Sequence, residues 1–240
     1  DIYRFLTCQK PQTFAVSFAP NMLYNRSDQV GKNCNGKVNF KWFFKLNFVL
    51  VFLPFNIFKM TIQKTNLKNS VKESPGKPFL KWAGGKGQLL DAFQKFYPKE
   101  LSEGKIETFC EPFVGGGAVF FYIVQKYPIK SALLFDNNED LILTYQVVQK
   151  EVQILVEQLN LLQRQYLELN EEKRTAFYYN MRKQFNAQKK SLNYNKFSKK
   201  GIERAAQIIF LNRTCFNGLF RFNSKGEFNV PQGRYKNPKI

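Results

Sequence analysis

The chain has 240 residues, with 37 Lys+Arg against 18 Asp+Glu, a formal net charge of +19, and no histidine. Positive charge in that surplus calls for a polyanionic partner, either nucleic acid or an anionic membrane surface. The missing histidine excludes Ser-His and Cys-His catalysis, and the four cysteines (Cys8, Cys34, Cys110, Cys215) form no Cys-x-x-Cys pair, which removes the usual zinc patterns and reads as reduced, cytosolic thiols.

Residues 1–59 mix apolar and Asn/Lys-rich patches with no sustained period. The stretch 42–58, WFFKLNFVLVFLPFNIF, contains Lys45, Asn47, Pro54 and Asn56. A membrane-spanning helix needs about 20 mostly apolar residues, so no membrane span is expected. Met60 is the expected start of the functional protein, with 1–59 an upstream or non-native extension. Without 1–59 the remainder keeps 29 Lys+Arg against 16 Asp+Glu, so the basic character belongs to the main domain. Residues 60–78 are polar and rich in breakers, a flexible lead-in.

From 79 onward the pattern becomes regular. KWAGGKGQ, residues 81–88, sets glycines around Lys86, as a backbone making room for a ligand does. GQLLDAFQKFYP (87–98) predicts a helix with Leu89, Leu90, Phe93 and Phe96 on one face, ending before Pro98. IETFCEPFVGGG (106–117) predicts a strand running into a glycine turn, AVFFYIVQKY (118–127) a helix, and SALLFDNN (131–138) a second buried strand. These form a βαβ unit with a parallel pair and a right-handed crossover. Val148, Val152, Leu155, Leu159, Leu162, Tyr166 and Leu169 make a heptad seam, expected to pack within the chain rather than to dimerise. Asn170 caps a further helix carrying Phe177, Met181 and Phe185. Arg182 to Lys200 holds seven basic residues and no acidic one, with Phe185, Tyr194 and Phe197 among them. Such interleaving suits nucleic acid, and equally a solvated basic loop. FNGLFRFNSKGEFNV (216–230) alternates around Ser224-Lys225-Gly226 as a β-hairpin does.

Three ligand classes compete for the glycine loops. A P-loop needs GxxxxGK followed by Ser or Thr; here Gly87 follows Lys86 and Leu80 stands where the first glycine belongs. A dinucleotide turn needs GxGxxG; Gly115 and Gly117 are present, but Phe120 replaces the third small residue. Asp136 follows Gly115 by 21 residues, where a carboxylate accepts both ribose hydroxyls. A nucleoside site without pyrophosphate geometry points to S-adenosylmethionine, its methionyl end across the glycine turn, Lys86 near its carboxylate and Trp82 as a cover. A nicotinamide-dependent oxidoreductase is the weaker reading.

FLKWAGGKGQLL, EPFVGGGAVFF, LLFDNNEDLILTY and FLNRTCFNGLFRFNSKGEFNVPQGRYKNP occur in this order over 79–240. Together they closely resemble the Dam-type (D12 class) adenine-specific DNA methyltransferases. The resemblance implies an α/β fold: a Rossmann-like S-adenosylmethionine-dependent sheet, with an inserted, mainly helical target-recognition region and a β-hairpin. On that reading 79–145 is the cofactor-binding core and 146–240 the recognition region. Trp82, Lys86, Glu111, Phe113, Gly115, Gly117 and Asp136 would hold the cofactor. Arg221 would read a guanine, Phe216 and Asn217 would fill the gap left by displaced bases, Leu219 and Pro231 would touch bases, and Arg213 would hold the DNA backbone. Phe216 stands where the family often has Tyr, which keeps the stacking face and loses a hydroxyl. GATC in double-stranded DNA is the expected site, and a monomeric cytosolic enzyme without a metal is the expected form. The family's acceptor motif, D-P-P-Y, holds the adenine N6 amino group; no [DNS]-P-P-[YFW] occurs in these 240 residues. The chain therefore reads as the N-terminal part of a longer methyltransferase, inactive alone, or alternatively as a DNA-binding remnant of one.

Overall fold

A computed structural model of the protein describes residues 14–16, 56–62, 76–82, 84–194 and 196–240. The rest of 1–59, and with it most of the apolar stretch 42–58, lies outside the described residues, as does most of the lead-in. Four strands form one sheet in the order β1-β3-β4-β2: β1 (Phe14–Val16), β2 (Asn56–Thr61), β3 (Thr108–Glu111) and β4 (Ser131–Asp136). β3 runs parallel to both β1 and β4, while β2 closes the other edge antiparallel to β4, Asn56 facing Asp136 and Thr61 facing Ser131. β2 spans the boundary expected at 59/60, so the sheet makes no break there.

The predicted βαβ unit is present. In β3 and β4 every second side chain is buried, Phe109 and Glu111 on one strand, Ala132, Leu134 and Asp136 on the other. Helix α3 (Ala118–Lys126) links them, opening on Gly117 and closing before Pro128. The helix predicted over 87–98 is shorter: a 3-10 turn at Lys86–Leu89 leads into α1 (Leu90–Gln94), and α2 (Lys99–Ser102) follows. Of its predicted apolar face only Phe93 is buried, whereas Leu89 and Phe96 are 40% and 81% exposed. The chain turns at Phe93–Tyr97 through i→i+3 bonds, which carries Phe96 off the helical face.

Helix α4 (Glu139–Lys150) starts on Asn138, whose side chain accepts from the Leu141 N–H at 3.0 Å, with Glu139 and Asp140 in the first turn. Seven of its 12 residues are buried, because it lies between the sheet and the helices that follow. The boundary expected at 145/146 therefore falls inside a continuous helix. α5 (Val152–Leu167) begins after a break at Glu151, which divides the heptad seam: Val148 belongs to α4 and Val152 is 43% exposed. Leu155 and Tyr166 are buried and Leu159 and Leu162 partly so, packed in this chain against α4 and the last helix. α6 (Glu171–Gln188) is capped by Asn170, which accepts from Lys173 N–H at 3.0 Å, and buries Tyr178, Met181 and Phe185. α7 (Lys199–Thr214) is the central helix of this half, with 12 of 16 residues buried and α4, α5 and α6 packed around it. Gly201 permits the approach to α4, since a Cβ there would stand 3.2 Å from Leu143 Cδ1.

One buried ion pair joins these helices. Arg204 of α7 donates through Nε and Nη2 to the two oxygens of Asp140 on α4, the second bond at 2.9 Å. Its Nη1 donates to Phe185 O at 2.6 Å, Tyr194 Oη donates to Asp140 Oδ1 at 2.6 Å, and the guanidinium stacks 3.9 Å from the Phe185 ring centroid. Both partners are nearly inaccessible, Arg204 at 1% and Asp140 at 4%.

Candidate functional site

The turn between β3 and α3 is held from three directions. Val114 N–H donates to Phe135 O at 2.9 Å, which ties the turn to β4, and Gly117 N–H donates to Val114 O at 2.8 Å. Gly115 N–H donates to Asp136 Oδ2 at 3.0 Å, and Tyr145 Oη donates to Gly115 O at 3.2 Å. Gly115 and Gly117 have φ of 50° and 79°, in the left-handed region. A Cβ on Gly117 would stand 2.3 Å from Tyr145 Oη, so close approach as well as conformation fixes glycine there.

Asp136 ends β4 and is 6% exposed. Its other oxygen, Oδ1, accepts from Asn138 N–H at 3.0 Å. Burial raises its pKa, opposed by the backbone donors of Gly115, Asn138 and Asn137 and by Lys86. A carboxylate offers about four acceptor sites, so backbone donors at both oxygens leave it acceptor capacity.

Lys86, expected to face a ligand carboxylate, directs its ammonium to Glu111 Oε1 and to Phe113 O, the latter at 2.7 Å. Two of its three donors are engaged in holding the loop to the end of β3. Glu111 is wholly buried, and among the described residues its Oε2 has no partner within normal hydrogen-bond geometry. Burial pushes its pKa up to about 7, although Lys86 and the Phe120 amide pull the other way. Trp82 covers the turn: a Cβ on Gly115 would lie 3.0 Å from its Nε1, and one on Gly116 3.0 Å from its Cβ. The indole also lies 4.9 Å, at 31°, from the ring of Phe220.

The predicted hairpin is present beyond α7. Phe222 and Phe228 bridge antiparallel, Asn223 N–H donates to Glu227 O at 2.9 Å, and Gly226, with φ of 72°, closes the turn by donating to Asn223 O. Before it, Cys215 bridges Gln232, and Phe216 N–H donates to Pro231 O at 2.8 Å. Phe216 is 50% exposed, and Asn217, with φ of 53°, Arg221 and Pro231 are exposed as well, while Leu219 is half-buried. Arg221 Nε donates to Asn229 Oδ1 at 3.0 Å, which orients the guanidinium. Arg213, expected at the DNA backbone, is half-buried and donates to Phe79 O at 2.8 Å through Nη2, and desolvation lowers its pKa. Beside the hairpin, Arg182, Lys183 and Lys190 line a cleft with Tyr179, Asn186 and Glu227, which places part of the basic segment 182–200 next to the exposed tip residues.

Tyr145 and Glu111's buried pairing carry no local sequence signal beyond helical apolar spacing and one acidic residue before a glycine turn. Among the described residues no group of three or more His, Cys, Asp or Glu could hold a metal ion, and no helix is long and apolar enough to cross a membrane.

Residues 82–240 match the family described as D12 class N6 adenine-specific DNA methyltransferase. Over 164 residues, 68% of this chain, the sequence is 55% identical to the Type II methyltransferase M.MjaIII of Methanocaldococcus jannaschii and covers 54% of that protein. It is 38% identical to a DNA adenine methylase of Haemophilus influenzae over 175 residues, 72% of this chain and 52% of the relative. With a DNA adenine methylase of Escherichia coli the identity is 38% over 160 residues, 67% of this chain and 49% of the relative. The chain spans about half the length of the curated relatives it matches.

Proposed function

The chain belongs to the D12 class of N6 adenine-specific DNA methyltransferases, and from that premise we propose that it binds S-adenosylmethionine on the 111–117 turn and reads a short adenine-containing site, GATC, with its hairpin. In this reading β3, α3 and β4 are the cofactor half of a Rossmann-like methyltransferase sheet. Helices α5 to α7 and the hairpin form an inserted target-recognition region. On this reading the protein is a cytosolic monomer, and the burial of the seam residues Leu155 and Tyr166 within the chain supports the monomer.

The residues fit the cofactor. Asp136 keeps acceptor capacity for ribose hydroxyls, while Gly115 and Gly117 carry no side chain over the turn where the methionyl end would lie. Glu111 and the Phe113 carbonyl hold Lys86 beside that turn, and its third hydrogen is what remains for the cofactor's carboxylate. Trp82 covers the turn from the loop side. Bound there, S-adenosylmethionine would supply an electrophilic methyl on its sulfonium. The one observation that carries the reading is the place of Trp82, whose indole touches both the glycine turn and Phe220 of the recognition segment. The cofactor site and the DNA-reading surface are therefore contiguous, as they must be when an adenine leaves the stack to meet a methyl donor.

Transfer also needs acceptors that hold the adenine amino group, and no [DNS]-P-P-[YFW] motif occurs in these residues. Incubated with tritiated S-adenosylmethionine and a GATC duplex, the chain should retain label by equilibrium dialysis and place none in adenine. Asp136→Asn should weaken retention about 10- to 100-fold, the worth of charge-assisted bonds to two hydroxyls. Retention equal in both proteins, or label in adenine above background, would refute this account of the site.

A further inference from the structure

Asn212 lies in the last turn of α7 and is wholly buried. Its Oδ1 accepts from Lys81 N–H at 2.7 Å, and its Nδ2 donates to Lys81 O at 2.9 Å and to Gly218 O at 3.0 Å. One side-chain amide thus pairs with both polar groups of the residue before Trp82, as a neighbouring strand would, and with the turn that leads into the hairpin. Gly218 has φ of 62°, and a Cβ on it would stand 2.4 Å from Lys81 Cδ, so the turn packs directly on the Lys81 side chain. Arg213 adds a parallel tie to Phe79 O.

These bonds bear on residues at both sites. Lys81 precedes Trp82, which lies on Gly115 and Gly116, and Gly218 precedes Leu219 and Arg221 on the DNA side. The segment 79–82 belongs to neither the sheet nor the hairpin, and it is fixed by the end of α7. A ligand that orders this segment from one side lowers the ordering cost for a ligand on the other, and such coupling is reciprocal.

We propose that Asn212 is a positioning residue that couples cofactor and DNA occupancy by fixing the Phe79–Trp82 segment to the Cys215–Gly218 turn. The proposal rests on the functional reading above. Neither Asn212 nor its bonds meet a ligand in it; the residue acts through Lys81 and Gly218.

The test is the dissociation constant of S-adenosylhomocysteine measured calorimetrically, alone and with a saturating GATC duplex. In the wild-type chain the duplex should tighten it about 10-fold, within the range of coupled sites. Asn212→Asp keeps the shape and the acceptor but sets a carboxylate against two carbonyls, and should bring the ratio to about 1 while each ligand alone binds within about 3-fold of wild type. Should that variant fail to melt cooperatively, Asn212→Ser, which is neutral and too short to span both partners, serves in its place with the same expectation. A merely structural role would weaken both ligands alone and preserve the ratio, which overturns the proposal, as would a wild-type ratio of 1 with both ligands bound. Binding of neither ligand to the wild-type chain defeats the functional reading first and this inference with it.

Discussion

Asp140→Asn is expected to lower the free energy of unfolding by about 3–5 kcal/mol, the usual cost of removing one partner of a buried ion pair. Most domains hold only about 5–15 kcal/mol in all, so the variant should unfold at markedly lower urea. The reason is geometric. Arg204 is 1% exposed, and its charge is balanced by Asp140. An asparagine there would turn its own amino group toward guanidinium hydrogens or leave one of the two Arg204 bonds unmade. Asp140 also accepts from Tyr194, so the change reaches into the basic segment 182–200. Asp140→Leu combined with Arg204→Met should recover most of the loss, because the cost lies in the uncompensated charge rather than in the missing bond. Urea unfolding of the wild type and the two variants decides it; equal stability of Asp140→Asn and wild type would show that the pair is not buried as described.

The second large effect concerns Lys86→Met. Glu111 is wholly buried and its pKa already stands at about 7, raised by burial and held down by Lys86. Without the ammonium it rises further. A carboxyl whose folded pKa exceeds its unfolded value binds more protons when folded. Its contribution to stability is therefore full below the unfolded value of 4.5 and declines as pH rises through about 7. In Lys86→Met that decline deepens and extends to higher pH. At pH 8 the variant should be about 2 kcal/mol less stable than wild type: about 1 kcal/mol for the lost hydrogen bond, and about 1.4 kcal/mol for the pH unit above 7 over which Glu111 keeps its proton only in the variant. At pH 5 Glu111 is protonated in both proteins, and the difference should shrink to about 1 kcal/mol, the worth of the hydrogen bond. Glu111→Gln in the Lys86→Met background should remove the pH dependence. Urea unfolding at the two pH values checks the sign, and a gap that is wider at pH 5 would contradict it. The same substitution should weaken S-adenosylhomocysteine binding, because Lys86 fixes the loop to the turn beneath the cofactor.

Much of the local structure was legible in the residues. The βαβ unit followed from alternation in TFCE and SALLFD around a glycine turn, and the Asn170 cap and the hairpin turn at Gly226 from residue chemistry that acts over four positions. The helix at 87–98 was overextended because apolar spacing continues through Phe96, although the chain turns at Phe93 and leaves that ring in solvent. The seam from Val148 to Leu169 reads as one helix, and nothing in its spacing marks the break at Glu151. Within the site, residue types at the turn and at Asp136 were readable, but partners were not. The bond of Lys86 to Glu111, 25 residues away, and that of Arg213 to Phe79, 134 residues away, have no signal in the local sequence. Asn212, Tyr145 and the Asp140–Arg204 pair carry no local signal for the same reason: their contacts exist only once distant segments are brought together.

The account's central claim is that this surface reads a short adenine-containing site. It is tested most directly by fluorescence anisotropy of a GATC duplex against the same duplex carrying GTTC, at fixed salt and saturating S-adenosylhomocysteine. The wild-type chain should prefer GATC by about 5- to 150-fold, the worth of one mismatched base pair, and Arg221→Ala should lose affinity for GATC while its affinity for unrelated duplex stays nearly the same. Equal affinity of the wild-type chain for the two duplexes would contradict the claim.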